Sequence, residues 1–479
     1  MRKQISTLIF TALLSLIAAV HAAPPSAKQG NSFSRGDLAA AATLRERALS
    51  DSTAYQLVES LTTEVGPRPA GSPGDRAAVA WAQREMQRLG FANVHTVPVA
   101  VPHWVRGEAE FAVLAPWPQA MPTLALGGSV GTGSEGLESD AVMVKDLEAL
   151  AQLPAGAVKD KIVYFNARME RTRDGAGYGK AVMVRAAGPS AASALGAIGV
   201  VIRSISTSNT RFPHTGTTRY TTTSPRIPAV AIANPDADAL ERQFASGKPV
   251  RLRIRSTSRD LPPAPSASVV GDIPGTDKAD EIVILGAHLD SWDPGTGALD
   301  DGAGVAIVMG VARLIGGLDV KPRRTIRVVL FANEEFGTSG SQAYLAAHQA
   351  DADKHVLGFE SDLGAGPVWR LSSRVNPRQL PAIDQIYKAL APFRLVRGDN
   401  EAKGGSDLEG LAQLGMPILE PGLDASTYFD VHHTANDTLA QVDPATLRQS
   451  VAAFAVSAWL GAQYPGTWER VETAKPPRR

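Results

Sequence analysis

The chain has 479 residues, of which 44% are hydrophobic and 20% are charged, so it has the composition of a globular protein and is too long for one ordinary domain. Its 48 basic and 48 acidic residues cancel, and no net field therefore favours nucleic acid or an anionic membrane as a partner. The chain has no cysteine, which excludes disulfide bonds and a thiol nucleophile.

The first 22 residues have the pattern of a secretory signal peptide. Arg2 and Lys3 precede an apolar run over 5–20, and residues 20–22 (Val-His-Ala) fit the small-residue cleavage rule. An uncleaved membrane anchor is the alternative, but the run is short for a span of about 20 residues. We therefore expect an exported protein, periplasmic or secreted, with no membrane anchor after cleavage.

Hydrophobic periodicity and turn residues divide the rest of the chain into two kinds of region. Helical patterns over 36–61 and 73–89 come first, followed by a strand pattern over 91–101. From 104 to 265, short β-like runs separated by many turn residues indicate a separate domain of ordinary size. Strands and helices alternate after that, which is typical of an α/β sandwich.

The predicted fold class is α/β: a three-layer α/β/α sandwich with a mixed, mostly parallel sheet, plus an inserted mostly-β domain. The predicted segments are a signal peptide (1–22), a flexible lead (23–34), the first part of the sandwich (35–103), the insert (104–265), the second part of the sandwich (266–465) and a tail (466–479). The proline-rich stretch Leu261–Ser266 is expected to be the linker that leaves the insert. The insert has a single histidine, His214, and no H-x-D motif, so we assign it no chemistry.

Four predicted strands of the second part end in side chains that can bind a metal ion. These ends carry His288 with Asp300, the run Asn333–Glu335, Glu360 with Asp362, and the pair His432–His433. A single acidic pair at a strand end is usually a solvated turn, whereas four such ends can meet at one edge of a sheet. Carboxylates crowded in one crevice repel each other and need a counter-charge, which a divalent metal ion supplies. The pattern therefore predicts a metal site.

These motifs also resemble a known family. The matching segments are His-Leu-Asp-Ser-Trp, Ala-Leu-Asp-Asp-Gly-Ala-Gly, Phe-Ala-Asn-Glu-Glu-Phe-Gly, Glu-Ser-Asp and His-His-Thr-Ala-Asn-Asp-Thr, in order from His288 to Thr438. They are similar to the co-catalytic zinc exopeptidases, which include secreted bacterial aminopeptidases and, nearest in these motifs, the carboxypeptidase Q branch. The early stretch 64–74 also matches, and the middle region resembles the protease-associated insert of many members.

The resemblance implies two zinc ions held by five side chains. These are Asp300 as the bridge, His288 and Asp362 on one ion, and Glu335 and His433 on the other. Glu334 would be the general base that activates the attacking water. Asp290 would hold the other ring nitrogen of the first histidine ligand and fix its tautomer.

Two of these assignments required a choice between neighbours. Asp300 is preferred to Asp301 because it lies twelve positions after the first histidine ligand, as in the family, and Asp301 is then expected to cap the next helix. His433 is preferred to His432 because Asp437 lies four positions after it, which matches the H-x-x-x-D pattern of the family.

Three further residues are candidates for contact with substrate. His432 stands where relatives often carry a tyrosine that contacts the tetrahedral intermediate; it could donate to the oxyanion or only support the ligands, and both interpretations stay open. Tyr428 could line the pocket or simply pack. Ser406 could touch substrate or cap a helix.

The resemblance implies a metallo-exopeptidase that hydrolyses dipeptides or terminal residues of short peptides, as a possible homodimer. It leaves open whether the enzyme is an aminopeptidase or a carboxypeptidase, although isolated arginines such as Arg374 or Arg397 could bind a carboxylate. A non-catalytic receptor of the same fold is one alternative, but all ligand positions hold competent residues. A one-zinc glutaminyl cyclase or an amidohydrolase is the other.

Overall fold

The computed structural model describes residues 32–472. The predicted signal peptide, residues 23–31 of the predicted lead and residues 473–479 of the predicted tail lie outside the described residues. The helices are α1 (Arg35–Ser50), α2 (Thr53–Ser60), α3 (Pro73–Arg88), α4 (Leu147–Ala151), α5 (Ala176–Ala181), α6 (Met183–Ala186), α7 (Gly188–Ala194), α8 (Asn234–Ala245), α9 (Ala303–Gly316), α10 (Ser339–Ala347), α11 (Leu380–Ala389), α12 (Glu409–Gln413) and α13 (Pro444–Gln463). No helix within 32–472 has the length and apolar character needed to cross a membrane.

The strands form two eight-stranded sheets. They are β1 (Ala92–Val105), β2 (Ala109–Ala115), β3 (Gln119–Met121), β4 (Thr123–Ala125), β5 (Leu137–Val144), β6 (Ile162–Phe165), β7 (Gly199–Arg203), β8 (Ala229–Ile232), β9 (Arg251–Ser256), β10 (Arg259–Ile273), β11 (Lys278–His288), β12 (Arg324–Phe331), β13 (His355–Glu360), β14 (Val368–Arg374), β15 (Val396–Arg397) and β16 (Ile418–Leu423).

The main sheet is mixed and mostly parallel, as predicted. Its order is β1-β10-β12-β11-β13-β16-β14-β15. The four central strands, β12, β11, β13 and β16, run parallel to one another, whereas β10 joins β12, and β14 joins β16, in the antiparallel direction. Because the central strands are parallel, their carboxyl ends meet at one edge of the sheet.

Helices cover both faces of this sheet. Alternate residues of a strand point to opposite faces, and in β11 Val283 and Leu285 join the large core with residues of α1, α2, α9 and α13. Ile282 and Ile284 join the opposite core with residues of α10 and α12. The three-layer arrangement predicted from the sequence is therefore confirmed.

The helical pattern over 36–61 forms two helices instead of one. The chain breaks at Asp51, which adopts an extended conformation (φ −80°, ψ 137°) at the end of α1. Its Oδ1 accepts the N–H of Thr53 at 2.7 Å, and its Oδ2 accepts from Arg313 of α9 at 2.7 Å. A side chain that offers the backbone a local acceptor ends a helix even where the apolar pattern continues.

The second sheet is built from strands between residues 109 and 256, in the order β3-β2-β9-β5-β6-β7-β8-β4, with helices α4–α8 in the same region. Strands β1 and β10 join the two parts of the molecule as a long antiparallel pair. Leu261–Ser266, predicted to be the linker that leaves the insert, lies inside β10 and is a paired strand. Along this stretch β10 pairs only with β1, and prolines are tolerated where one edge of a strand is unpaired. The domain limits at 103/104 and 265/266 fall inside these two strands and stay predictions.

Candidate metal centre

The side chains predicted as ligands meet at the carboxyl edge of the main sheet. His288 is the last residue of β11, Asp362 follows β13 by two residues, and Glu335 lies in the loop after β12. Asp300 lies in the turn before α9 and is joined to the next residue by a cis peptide bond. His433 comes from the loop after β16. The parallel topology thus assembles residues that are 145 positions apart in the sequence.

His288 forms one half of the centre with two carboxylates. Its Nε2 lies 3.1 Å from Oδ1 of Asp300 and 3.5 Å from Oδ1 of Asp362. The histidine side chain is 1% exposed and that of Asp300 is 4% exposed. The side chains of His288 and Asp300 are therefore almost removed from water, whereas that of Asp362 is 21% exposed.

His433 forms the other half. Its Nε2 lies 3.1 Å from Oδ2 of Asp300 and 3.1 Å from Oε2 of Glu335. Asp300 thus presents one carboxylate oxygen to each of two imidazoles, which is the arrangement of a carboxylate that bridges two sites.

The donors fit divalent metal ions. Oδ2 of Asp300 and Oε1 of Glu335 are buried and have no hydrogen bond to any residue of 32–472. Buried polar atoms are normally paired, so their isolation indicates that a group other than the protein satisfies them. Two sets, His288 with Asp300 and Glu335, and His288 with Asp301 and Asp362, each bring ligand atoms within 4.8 Å of one another.

Asp290 supports both the first histidine and the following loop. Its Oδ1 lies 3.6 Å from Nδ1 of His288, and its backbone oxygen lies 3.1 Å from the same nitrogen. Its carboxylate accepts the N–H of Glu334 at 3.0 Å and that of Glu335 at 3.4 Å. Asp290 therefore contacts a proposed ligand ring through its backbone oxygen, with its carboxylate facing the same nitrogen, and its carboxylate holds the segment that carries two acidic side chains.

Two other buried side chains fix the turn that carries the bridging carboxylate. Asp437 accepts the N–H of Leu299 at 2.7 Å and that of Asp300 at 3.2 Å. Arg68 donates to three carbonyl oxygens of the preceding segments: Leu289 at 2.6 Å, Thr296 at 2.7 Å and Gly297 at 2.8 Å. The early motif 64–74 thus acts on the centre through this arginine.

Asp301 packs beneath the centre and caps the next helix, as predicted. Its Oδ1 accepts the N–H of Gly304 in the first turn of α9 at 3.0 Å, and its Oδ2 accepts the N–H of His288 at 3.1 Å. Because both oxygens are used by the backbone, Asp301 holds the helix and the strand end together.

Burial raises the pKa of Glu334 to about 8, with Asp362 and Glu335 adding repulsion and His288 acting against it. Burial likewise raises the pKa of Glu360 to about 8. Several acids therefore crowd one site with too little positive charge from protein groups, which is the electrostatic condition for binding cations.

A cavity of about 350 Å³ opens over the centre. Its wall includes four of the proposed ligands and Glu334, together with the three residues predicted to contact substrate, Ser406, Tyr428 and His432. The His432 ring stacks on that of His433 at 3.6 Å between centroids, and its Nε2 lies 3.4 Å from Oδ2 of Asp300. The size suits a small ligand.

The insert, to which we assigned no chemistry from its sequence, forms the opposite wall of this cavity. Tyr178, Arg185, Thr217 and Arg219 line the cavity, and Thr217 donates to the backbone oxygen of Glu335 at 2.5 Å. These residues carry no sequence motif of their own, and only the three-dimensional contact reveals them.

His214 of the insert also lies at the centre. Its ring is fully buried, 4.9 Å from the ring of His432 and 5.1 Å from that of His433 between centroids. Its isolated position in the sequence gave no indication of this. In contrast, Arg374 and Arg397 bind backbone oxygens and Asp384 away from the cavity wall.

Two further contacts were not anticipated. Trp292 donates from Nε1 to Oε2 of Glu335 at 2.5 Å, and it could have been suspected because it belongs to the His-Leu-Asp-Ser-Trp motif. Glu360 accepts the N–H groups of Asp407 and Leu408 at 3.2 and 2.8 Å, which fixes the loop that carries Ser406.

The chain is similar to known proteins over most of its length. The profile of Peptidase family M28 matches residues 268–458. Carboxypeptidase Q of Bos taurus is 32% identical over 408 residues, covering 85% of each chain. The crystal structure of a Peptidase M28 precursor from Shewanella amazonensis SB2B is 44% identical, with a TM-score of 0.89 over 92% of this chain and 99% of the other. BSAP, a zinc aminopeptidase from Bacillus subtilis, shares the fold at 20% identity, with a TM-score of 0.60 over 85% of this chain and 93% of the other.

The family profile covers the strands and loops that carry all five proposed ligands, and the match to carboxypeptidase Q extends far beyond that region. The carboxypeptidase Q match and the M28 precursor structure exceed the level at which a shared fold alone would explain the likeness. The chain is an enzyme that belongs to peptidase family M28.

Proposed function

We propose that this enzyme is a two-zinc exopeptidase that hydrolyses dipeptides or terminal residues of short peptides. The mixed nitrogen and carboxylate donors suit zinc, and the B. subtilis protein of the same fold is named a zinc aminopeptidase. The small cavity, walled by the insert, favours a short peptide over a folded protein.

The proposed ligands follow from the two halves of the centre. His288 and Asp362 would hold one zinc ion, Glu335 and His433 the other, and Asp300 would bridge them. The observation that carries the proposal is the position of Asp300, which presents Oδ1 to one imidazole and Oδ2 to the other at 3.1 Å each.

When bound, the two ions would polarise the scissile carbonyl and lower the pKa of water in the site. Glu334 lines the cavity beside both halves and would take the proton of the attacking water and then pass it to the leaving amine. Asp290 positions Glu334 through the hydrogen bond to its N–H. His432 would donate to the developing oxyanion, and Tyr428 and Ser406 would contact the substrate.

The location and assembly of the enzyme are proposals as well. The signal-like residues 1–22 support export to the periplasm or the medium, and no helix among residues 32–472 could span a membrane. A homodimer is proposed from the family resemblance. Fractionation of cells that express the full chain, and light scattering of the mature protein, test these two points.

Hydrolysis of a small peptide panel tests the proposed function. The mature protein is assayed on a free dipeptide, its N-acetyl form, its C-terminal amide and an amino-acid anilide, before and after chelation and zinc return. We expect chelation to abolish cleavage of the free dipeptide and zinc to restore it.

Glu334→Gln is the matched control, since it keeps the size of the side chain and removes its basicity. We expect it to bind zinc normally and to lose activity by about 10²- to 10⁴-fold. If the wild-type protein retains no zinc and cleaves no member of the panel, a non-catalytic binding protein replaces the proposal. If Glu334→Gln cleaves normally, another group is the base.

A further inference from the structure

The insert brings a buried arginine without an acidic partner to the cavity. Arg185 of α6 is 7% exposed and lines the cavity wall. Its Nη1 donates to the backbone oxygen of Thr215 at 3.1 Å and lies 3.3 Å from Nδ1 of His433, while its Nε has no hydrogen-bond partner among residues 32–472. No carboxylate of the described chain forms an ion pair with it. Buried guanidinium groups are normally paired with an anion, so this one is available for an anion from outside.

A second arginine lies beside it. Arg219 lines the same cavity and is exposed, and within 32–472 its side chain has neither a hydrogen bond nor an ion pair. Its backbone N–H donates to the oxygen of Ala186 at 2.7 Å, which ties its segment to the end of α6. Two cationic side chains without acidic partners thus flank one stretch of the cavity wall.

The backbone around Arg185 is shaped to admit its side chain. Gly216 has a φ of 138°, and a Cβ at this position would lie 2.1 Å from Nη1 of Arg185. Any other residue would displace the guanidinium, so a glycine is required where the backbone passes it. The ring of Tyr178 lies 5.5 Å from the same guanidinium.

The position of Arg185 relative to the metal centre indicates which anion it can bind. The Nε2 of His433 faces Asp300 and Glu335, whereas its Nδ1 lies 3.2 Å from the backbone oxygen of Thr215 and 3.3 Å from Nη1 of Arg185. The guanidinium thus lies one imidazole ring away from the reacting groups. In a peptide, the carboxylate of the residue after the scissile bond lies about one residue length, roughly 3.6 Å, further along the chain. A C-terminal carboxylate can therefore reach the arginines while the preceding carbonyl lies at the centre.

We propose that Arg185 and Arg219 bind the free C-terminal carboxylate of the substrate, so that the enzyme cleaves the bond before a C-terminal residue. Guanidinium groups bind carboxylates through paired, charge-assisted hydrogen bonds. This inference rests on the proposed function and names the terminus that the sequence left open. The insert then selects the substrate as well as enclosing it.

Three substrates and three variants test the inference. The substrates are a free dipeptide, its C-terminal amide, and an amide whose C-terminal residue is glutamate, which offers a carboxylate only on its side chain. The variants are Arg185→Lys, Arg219→Ala and the control Arg242→Ala, which removes an exposed arginine of the insert outside the cavity wall. The readout is the ratio of kcat/KM for the free acid to that for its amide.

We expect the wild-type enzyme to prefer the free acid over both amides, and each arginine variant to lower the ratio by about 10- to 100-fold through a higher KM. Arg242→Ala should leave the ratio unchanged. If the free acid and its amide are cleaved equally, or if the variants keep the wild-type ratio, the inference is overturned while the peptidase function stands. If the glutamate amide is the preferred substrate, the arginines bind a side chain and the inference is likewise wrong. If Arg185→Lys does not fold, the Arg219→Ala variant provides the test. If the wild-type enzyme cleaves none of the substrates, the proposed function itself is overturned.

Discussion

The carboxylate of Asp290 contacts the loop that carries the proposed catalytic base, Glu334, and faces the proposed metal ligand His288. It accepts two backbone N–H groups of the 334–335 loop and faces Nδ1 of His288. Groups that orient a metal ligand contribute to affinity although they touch no metal. Loss of the Asp290 carboxylate should therefore weaken metal binding more than it lowers the stability of the fold.

The Asp290→Asn variant tests this role. We expect it to bind zinc about 10- to 100-fold more weakly, because the amide cannot accept from both N–H groups and also face the ring. Competition with a chelator of known affinity measures the change. Asp280→Asn, at an exposed position of β11, should bind zinc as the wild type does. Equal affinity in all three proteins would show that the contact has no such role.

His355 makes the stability of the fold depend on pH. Its side chain is buried in β13, its Nε2 lies 2.8 Å from the hydroxyl of Tyr344, and burial together with nearby Arg327 lowers its pKa to about 4. The unfolded chain takes up the proton near pH 6.5, well before the folded chain does. The contribution is therefore present above pH 6.5 and is lost as the pH falls from 6.5 towards 4, by at most about 3 kcal/mol.

Urea unfolding of the metal-free protein at pH 7.5 and 4.5 tests the prediction for His355. The free energy of unfolding should fall less between these two pH values in His355→Gln than in the wild type. His95→Gln, at an exposed position, should keep the wild-type difference. An unchanged pH dependence in His355→Gln would contradict the assignment.

At the scale of elements, α9 approaches the sheet edge closely at its first turn. A Cβ on Gly304 would lie 2.0 Å from the backbone oxygen of Ser361 and 2.2 Å from Oδ1 of Asp301. A residue without a Cβ is therefore needed at this position, because the first turn of the helix passes directly against the backbone of Ser361. The approach holds the strand end, the helix and the carboxylates in one arrangement.

Gly304→Ala should therefore destabilise the protein by about 2 kcal/mol, through overpacking that the backbone cannot relieve. Gly310→Ala in the same helix is the matched control, since its Cβ would meet only ordinary contacts at 3.6 Å, and it should be neutral or stabilising by up to about 1 kcal/mol. Urea unfolding of both variants provides the comparison. Similar free energies for the two would refute the close-approach argument.

The strands of the main sheet were predictable because buried strands have a clear apolar pattern in the sequence. Runs such as 282–285 and 328–332 are apolar and contain β-branched residues, and polar side chains follow each run. The break between α1 and α2 was not predictable from periodicity, because a single hydrogen bond from Asp51 to Thr53 decides it. The sequence also did not show that 261–266 is a paired strand. Turn-forming residues dominate this stretch, and its partner β1 lies far away in the chain.

At the scale of the whole molecule, the sequence predicted the side of the cavity that is formed by loops of the main sheet. Its ligand candidates follow strands in order, so parallel topology alone brings them together. The side of the cavity that is formed by the insert could not be predicted in this way. Arg185, His214 and Arg219 reach the centre only because the insert packs back onto the loop after β16, and no local pattern records a contact between segments 200 residues apart.

The insert is held in this position by contacts with the loop that carries the second histidine ligand. Arg171 donates to both oxygens of Asp430 at 2.9 and 2.7 Å, and the N–H of Thr215 donates to the backbone oxygen of His433 at 3.0 Å. The proposed metal centre and the proposed carboxylate site therefore share one structural support. Under the two proposals, His433 would be a zinc ligand that also contacts the carboxylate-binding Arg185.

The central claim is that Asp300 bridges two zinc ions, and anomalous diffraction at the zinc edge tests it most directly. Crystals of the mature protein equilibrated with zinc should show two peaks about 3.5–4 Å apart, one beside His288 and Asp362 and the other beside Glu335 and His433. A single peak in the centre, no peak, or a peak among His214, His432 and His433 in place of the pair would contradict the claim.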